Sequence, residues 1–310
     1  MAGGSLMQKK PIIAVLRGGS ANEREISLRS GAAVVEGLQQ AGYEVLDWSV
    51  DGLTDVIALV QQAPRPLLVF NVLHGRGGED GQLQALLDVL KVPYTGSGLL
   101  ASALSMDKVV TKRIWQAMGL PTADYYEVTQ ASLTTFDVDA VRYPVMVKPA
   151  REGSSIGMFK VDSADRMQAA LTQALTFDDH VLVESWIDGA EYTVAILGDQ
   201  ALPMIRLKTP NVFYDYEAKY QANTTEYLCP CGLSAEVEEA IQALALKAFH
   251  ALGAKTWGRI DVMIDQQGQP WLLELNTVPG MTDHSLVPMA AKQAGLSFDQ
   301  LVDRLVQLSI

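Results

Sequence analysis

The sequence predicts a multidomain chain with a parallel α/β domain at its N-terminal end and an α+β half behind it. Three observations carry this reading. The first hundred or so residues alternate short apolar runs with a long helical pattern, the remainder is rich in strand-like segments, and neither repeats nor low-complexity linkers interrupt the chain. At 310 residues, 48% of them hydrophobic, the chain can bury more than one core, because single cores stop growing near roughly 250 residues.

Taken in order, "PIIAVL" (11–16) is a strand. "EREISLRSGAAVVEGLQQAG" follows as a helix ended by Gly42, and "YEVLDWSV" and "PLLVFNVL" (66–73) are two more strands. A βαβ order of this kind implies a parallel sheet. The loop after the first strand, "RGGSANERE", sits at a strand C-terminus facing a helix start, where open α/β sheets place ligands. It is not G-x-G-x-x-G, so a dinucleotide fingerprint fits poorly. Behind "PYTGSG" a helix is expected from about Ala101 to Met118, carrying Lys108. Strands are expected at "ADYYEVT", "YPVMVKP", "HVLVESWI" and "EYTVAILGDQALPMIRL", the last folded back at a Gly-Asp turn. A helix from about Ala235 to Leu252, ended by Gly253, and two final strands complete the α+β half. The expected domains are 1–95, 96–188 and 189–310.

Composition excludes several classes. A formal charge of -12 and a pI near 4.8 argue against a nucleic-acid partner, which needs a basic surface. Any phosphate must be met by local lysines. Apolar runs such as Pro66 to Val72 fall far short of the ~20 residues that span a bilayer. "MAGGSLMQKK" lacks the apolar segment of a signal peptide, and Met7 is an expected start. Cys229 and Cys231, the only cysteines, are too close for an easy disulfide and lack the second half of a zinc site, so they read as free thiols. The expectation is a cytoplasmic protein without a membrane partner.

Two stretches carry chemistry. In "KPAREGSSIG" a Gly-Ser-Ser-x-Gly turn lies behind Lys148 at the end of a strand. Glycines there let backbone N–H groups crowd around an anion that a Cβ would keep away. In "WGRIDVMIDQQGQPWLLELNT" a turn centred on Gln267-Gly268 places Asp261 opposite Glu274 and Arg259 opposite Asn276. The side-chain period of two then puts all four on one face and turns Ile260, Val262, Leu273 and Leu275 into the core. Two opposed carboxylates repel unless a cation lies between them. The oxygen donors suit Mg2+; the competing reading is a strand salt bridge through Arg259 or a solvated face.

Together, "KPAREGSSIG", "GRIDVMID", "LLELNTVPGMTDHS", "HGRGGEDG" and "GSGLLASALSMDK" resemble the D-alanine:D-alanine ligases of the ATP-grasp superfamily, from Ile12 to the C-terminus. The resemblance implies a two-part ATP-grasp fold behind the N-terminal domain, with the Gly-Ser-Ser turn, Ser154 and Ser155 included, as a lid over ATP. It implies that Lys108 and Lys148 contact the α- and β-phosphates, although a lone lysine is usually a solvated surface residue. Glu184, Trp186, Ile187 and Glu191 match the segment that holds adenine and ribose. Ser185 stands where relatives often have lysine, and an isolated tryptophan such as Trp186 is also a common core residue. Asp261, Glu274 and Asn276 would bind two Mg2+ ions, with Mn2+ as a substitute.

On the amino-acid side, Glu23 matches the carboxylate that holds the first D-alanine's ammonium, and His74 lies close to that substrate in relatives. Taken alone, Glu23 is equally a helix first-turn residue and His74 a hydrogen-bonded core histidine. Ser154 would link Glu23 to Tyr220. Arg259 and the N–H of Gly280 would polarise the reacting carbonyl, while Ser285 and Leu286, with Lys219, would receive the second D-alanine's carboxylate. The run 208–227 matches a loop that closes over the site, bringing Lys219 to the γ-phosphate of ATP and Tyr220 to Ser154. The implied reaction activates one D-alanine as an acyl phosphate, which the amine of the second attacks. Two alternatives stand beside it: D-alanyl-D-lactate formation, which Tyr220 speaks against, and a nucleotide-binding protein without catalysis. Relatives form homodimers, and the same is expected here.

Overall fold

The structure, a computed structural model, describes residues 10–62, 64–209 and 225–310. The chain divides into two compact units, Met1–Gly96 with Val278–Ile310, and Ser97–Thr277.

The first unit is built on a parallel sheet in which β1 (Ile12–Gly18) lies between β2 (Glu44–Val50) and β3 (Leu68–Asn71). Residues Ile13 to Leu16 have no exposed surface, which is why this central strand reads as an unbroken apolar run. Helix α1 (Arg24–Gln40) makes the crossover to β2 and is followed by Gly42 at φ +90°, a conformation that costs glycine little. Helices α2 (Leu53–Val60) and α3 (Gln82–Val89) enclose a core containing Leu16, Trp48, Val69 and Leu87.

Residues Val278–Ile310 belong to this unit, although chain order places them after the last strands. Their α9 (Phe298–Gln307) buries Leu301, Val302, Leu305 and Val306 in one stripe, and α1 supplies the apolar partner such a stripe requires. A methyl group at Gly37 would sit 2.8 Å from the Phe298 ring, so the small residue sets the approach. Asp303 accepts hydrogen bonds from Lys10 at 2.7 Å and from the Tyr43 hydroxyl at 2.8 Å.

The second unit holds two antiparallel sheets. One has the order β4 (Tyr125–Thr129), β7 (His180–Ser185), β5 (Val145–Pro149), β6 (Phe159–Val161), with α6 (Ala164–Ala174) packed on β5 and β6. The other runs β11 (Glu226–Leu228), β10 (Ile205–Lys208), β8 (Gly189–Leu197), β12 (Trp257–Asp265), β13 (Pro270–Asn276), with β9 (Gln200–Ala201) attached to β8. Leu197 pairs with Gln200, so the Gly198-Asp199 turn forms as expected. Helix α7 (Ala235–Ala251) covers the second sheet through Ile241, Ala245 and Phe249.

Two local expectations are corrected. The single helix from Ala101 to Met118 is two helices, α4 (Leu99–Met106) and α5 (Lys108–Ala117). Asp107 breaks it, with extended backbone and a carboxylate that accepts from the N–H groups of Val109 at 3.0 Å and Val110 at 3.1 Å. A side chain that caps a new helix so well competes with continuation of the old one. The second concerns Leu273. Arg259, Ile260 and Asp261 pair with Asn276, Leu275 and Glu274 as expected, but the register shifts there and Val262 faces Leu272. This bulge turns Leu272, fully buried, into the core in place of Leu273. Among the described residues, no helix is long and apolar enough to cross a membrane.

Candidate active site

Between the two sheets of the second unit lies a cavity of about 520 Å³. One wall comes from β5 and β7, the other from β8, β10, β12 and β13, and Lys108 enters from the first position of α5. The break at Asp107 is what puts Lys108 at a helix start. Its ammonium donates to the Glu152 carbonyl at 2.7 Å and lies 3.6 Å from Glu274. Bulged Leu273 lines the cavity as well, so the bulge exchanges a core residue for a wall residue.

On the β12–β13 wall, Asp261 and Glu274 are direct cross-strand neighbours. Their repulsion is relieved by cations from the protein itself. Arg259 grips Asp261 with two bonds, Nε to Oδ1 at 2.8 Å and Nη2 to Oδ2 at 2.7 Å, and Lys108 approaches Glu274. Thr193 on β8, a residue without a sequence signal of its own, donates to Asp261 Oδ1 at 2.7 Å. Asp261 is thus held rigidly, while Glu274, with a side chain 32% exposed, faces the open space.

These residues fit a hard divalent cation in a particular way. Asp261, Glu274 and Asn276 offer oxygen donors on one face, yet among the described residues no three His, Cys, Asp or Glu side chains gather as a metal cluster. A cation there would complete its shell with water or ligand oxygens, which is how Mg2+ is usually held beside phosphates.

The β5–β7 wall carries a charge cluster that sequence reading found only in part. Lys148 and Glu184, both expected in the site, form an ion pair, and Glu184 forms a second pair with Lys112 of α5. Lys112 is 0% exposed and also donates to the Thr122 hydroxyl at 2.5 Å. Burial alone would raise the Glu184 pKa, but the two ammonium groups outweigh it and hold the carboxyl below its ordinary value. For Lys112, burial wins and pushes the ammonium down. The one available sequence signal was a lysine at helical spacing from Lys108, which reads as a solvated surface residue.

Beyond Glu184, the segment through Ser185, Trp186, Ile187 and Glu191 lines the same cavity. Trp186 is not a core residue: its ring stacks under the Lys160 ammonium at 4.6 Å from the centroid, and its backbone N–H donates to the Pro144 carbonyl at 3.2 Å.

The Gly-Ser-Ser turn closes one side. Ser154, Ser155 and Gly157 have φ of +55°, +60° and +71°, conformations that cost side chains other than glycine's. The turn is pinned at both ends. Arg151 bonds to Asp178 through its backbone N–H at 2.8 Å and its guanidinium Nε at 3.1 Å. At the other end, a methyl group at Gly157 would lie 2.6 Å from the Phe177 ring and 2.9 Å from Pro149.

The first unit brings a second group together. Glu23 is the residue before α1, only 7% exposed, and a methyl group at Gly75 would lie 2.8 Å from its Oε2. Next to Gly75, His74 is 8% exposed. The loop holding them is braced by Asn71 and Gln84, whose amides donate to the Gly78 carbonyl at 3.0 and 2.9 Å. Glu23 and His74 therefore share the C-terminal edge of the parallel sheet. Also in this unit, Ser285 precedes α8 (Leu286–Gln293) and its hydroxyl accepts from Thr282 N–H at 2.9 Å. A methyl group at Gly280 would lie 2.9 Å from that hydroxyl. The Leu286 side chain is buried, which leaves its backbone as the part able to meet a ligand.

Glu23, His74, Gly280, Ser285 and Leu286 thus belong to the first unit, and Lys108, Lys148, Ser154, Arg259 and the Asp261 group to the second. Lys219, Tyr220 and most of the 208–227 run lie outside the described residues; the strands at its two ends, β10 and β11, pair antiparallel.

Comparison with known proteins identifies what the chain is similar to. Residues 114–307 match the family model described as D-ala D-ala ligase C-terminus and residues 54–97 that of the D-ala D-ala ligase N-terminus. The chain is 52% identical over 304 residues to a D-alanine–D-alanine ligase of Hydrogenovibrio crunogenus, covering 98% of this chain and 96% of that protein. It is 53% identical over 299 residues to one from Nitrosococcus oceani, covering 96% and 93%. Among solved structures, the D-alanine–D-alanine ligase of Bacillus anthracis superposes with a TM-score of 0.86 at 32% identity, covering 96% of this chain and 97% of that one. A D-alanine–D-alanine ligase from Bacillus anthracis complexed with ATP superposes at 0.84 and 29%, with the same coverage. With both family models matched and half-identical relatives spanning nearly its whole length, this chain belongs to the D-alanine–D-alanine ligase family.

Proposed function

We propose that the protein joins two D-alanine molecules into D-alanyl-D-alanine, converting ATP to ADP and phosphate, to supply peptidoglycan precursors in the cytoplasm. The observation that carries this reading is the cavity of the second unit, where lysines able to meet phosphates and paired carboxylates able to hold a divalent cation stand on facing walls. The three-part division 1–95, 96–188 and 189–310, and a homodimeric assembly, are part of the same proposal.

In this reading Lys108 and Lys148 hold the α- and β-phosphates, Glu184, Trp186, Ile187 and Glu191 hold the nucleoside, and Ser155 belongs to the lid. Bound through Asp261, Glu274 and Asn276, two Mg2+ ions or Mn2+ in their place would offset the negative charge of the phosphates. Glu23 holds the ammonium of the first D-alanine, with His74 beside it, so that its carboxylate is aimed at the γ-phosphate. In-line attack gives an acyl phosphate and ADP. Arg259 and the Gly280 N–H then stabilise negative charge on the carbonyl oxygen as the second amine attacks. Ser285, the Leu286 N–H and Lys219 hold that substrate's carboxylate. Collapse of the tetrahedral intermediate expels phosphate and leaves the dipeptide. In this reading the Gly-Ser-Ser turn and the 208–227 loop exclude the water that would hydrolyse the acyl phosphate.

The test is release of ADP and phosphate from ATP with and without D-alanine, with the product identified. D-alanine-dependent release yielding the dipeptide is expected. Nucleotide binding without D-alanine-dependent turnover would overturn the catalytic reading, and a depsipeptide preferred when D-lactate is also supplied would overturn the choice of nucleophile.

A further inference from the structure

The Lys112–Glu184–Lys148 cluster contains one more cation than the nucleotide reading uses. Lys148 and Glu184 line the cavity, whereas Lys112 lies behind them, fully buried. The Glu184 oxygens are divided between the two lysines, Oε1 to Lys112 and Oε2 to Lys148. Lys112 is fixed in its place. Besides Glu184 it donates to the Thr122 hydroxyl, which in turn donates to the Leu272 carbonyl at 2.9 Å, and its ammonium lies 5.6 Å from the centre of the Tyr125 ring. Only Lys148 has a cavity to turn toward.

From this geometry we infer that Lys112 is a positioning residue for nucleotide binding: it is the fixed partner of Glu184, and by neutralising that carboxylate from behind it leaves Lys148 free to serve an incoming phosphate. The inference rests on the nucleotide reading of the cavity. The argument is one of charge count in a poorly solvated wall. With Lys112 present, two cations and one anion leave a net positive charge facing the cavity. Without it, Glu184 and Lys148 form a neutral pair, and a phosphate must compete with a buried carboxylate for its only cation. Glu184 is thereby able to contact a nucleoside without repelling the phosphates attached to it.

The test compares binding of ADP, which carries phosphates, with binding of adenosine, which does not, in purified full-length protein with Mg2+ and without D-alanine. Lys112→Met is expected to weaken ADP binding by about ten-fold or more while adenosine binding changes by less than about two-fold. In a Glu184→Gln background, where no carboxylate competes for Lys148, the same substitution is expected to change ADP binding by less than about three-fold. Glu184→Gln alone keeps both lysines and should raise the ratio of ADP to adenosine affinity, a readout that stands even if Lys112→Met does not fold. Equal losses for the two ligands in Lys112→Met, a ten-fold ADP loss persisting in the Glu184→Gln background, or a lowered ratio in Glu184→Gln would overturn the inference and leave the nucleotide reading intact. Wild-type protein that binds no ADP would overturn both.

Discussion

Two carboxylate sites face each other across the cavity, and they are built on opposite plans. Glu184 on β7 is 3% exposed and closed in by two lysines of the same protein. Glu274 on β13 has a side chain 32% exposed, with its lysine at the longer distance of 3.6 Å. A buried carboxylate enclosed by cations is part of what holds its surroundings together, since removing it strands the partners. A carboxylate exposed to the cavity can meet a ligand, and the charge of a partly exposed ion pair contributes little to the fold. The two walls therefore differ in how far the fold depends on the charges that line them.

The largest expected effect tests the open site. Glu274→Gln should lower turnover by at least about a hundred-fold, because a lost cation ligand removes several kcal/mol of charge stabilisation, while Tm moves by no more than about 3 °C. Steady-state kinetics beside thermal melts check it, and wild-type turnover at ordinary Mg2+ would remove Glu274 from the chemistry. At the closed site the distinguishing effect falls on stability. Glu184→Ala leaves Lys112 buried without its carboxylate, and a loss of about 3–5 kcal/mol in unfolding free energy is expected; a denaturant midpoint equal to that of wild type would erase the contrast between the walls.

Smaller effects sharpen the picture at the lid that adjoins both walls. Gly157→Ala must place a methyl group 2.6 Å from Phe177 at φ +71°, so a cost of about 1–3 kcal/mol is expected. If the turn is rigid because of that contact, the variant should also bind ADP less tightly; unchanged stability would show that Phe177 yields. The smallest effect concerns pH. Burial favours the neutral form of Asp178, but hydrogen bonds from the Arg151 side chain, from Asp179 and from the His180 and Arg151 backbone N–H groups together outweigh it and hold its pKa below the ordinary value. A carboxylate depressed on folding stabilises the native state above the ordinary carboxylate range near 4, and that contribution is lost as the pH falls through the depressed value. The Tm of Asp178→Asn should lie below wild type at pH 6 and approach it near pH 2. Curves that stay parallel across that range would mean that the Arg151 contact contributes through shape alone.

Much of this was legible in the sequence because it is periodic or local. The parallel sheet follows from the order of apolar runs and one amphipathic helix, and the pairing of Asp261 with Glu274 follows from a hairpin turn and a period of two. Leu273 escaped because a bulge changes that period by one residue and leaves no mark in hydrophobicity, Leu272 and Leu273 being the same amino acid. Asp107 escaped because a helical pattern of apolar residues outweighs a single capping side chain until the backbone is seen to turn. Lys112 was invisible for a stronger reason: nothing nearby in the chain says that an ammonium will be buried, since its partner Glu184 lies 72 residues away.

By itself, then, the sequence determined the element order, the lysine-bearing Gly-Ser-Ser turn, the carboxylate pair and the family they resemble. Each depends on neighbours within a few residues or on the spacing of a single hairpin, and local sterics and side-chain periodicity act at that range. Only the tertiary structure decided that α9 returns to α1, that Leu273 faces the cavity, and that Glu184 is shared between a visible lysine and a hidden one. Those outcomes depend on which distant surfaces exclude water together, and burial, unlike periodicity, is a property of the whole fold.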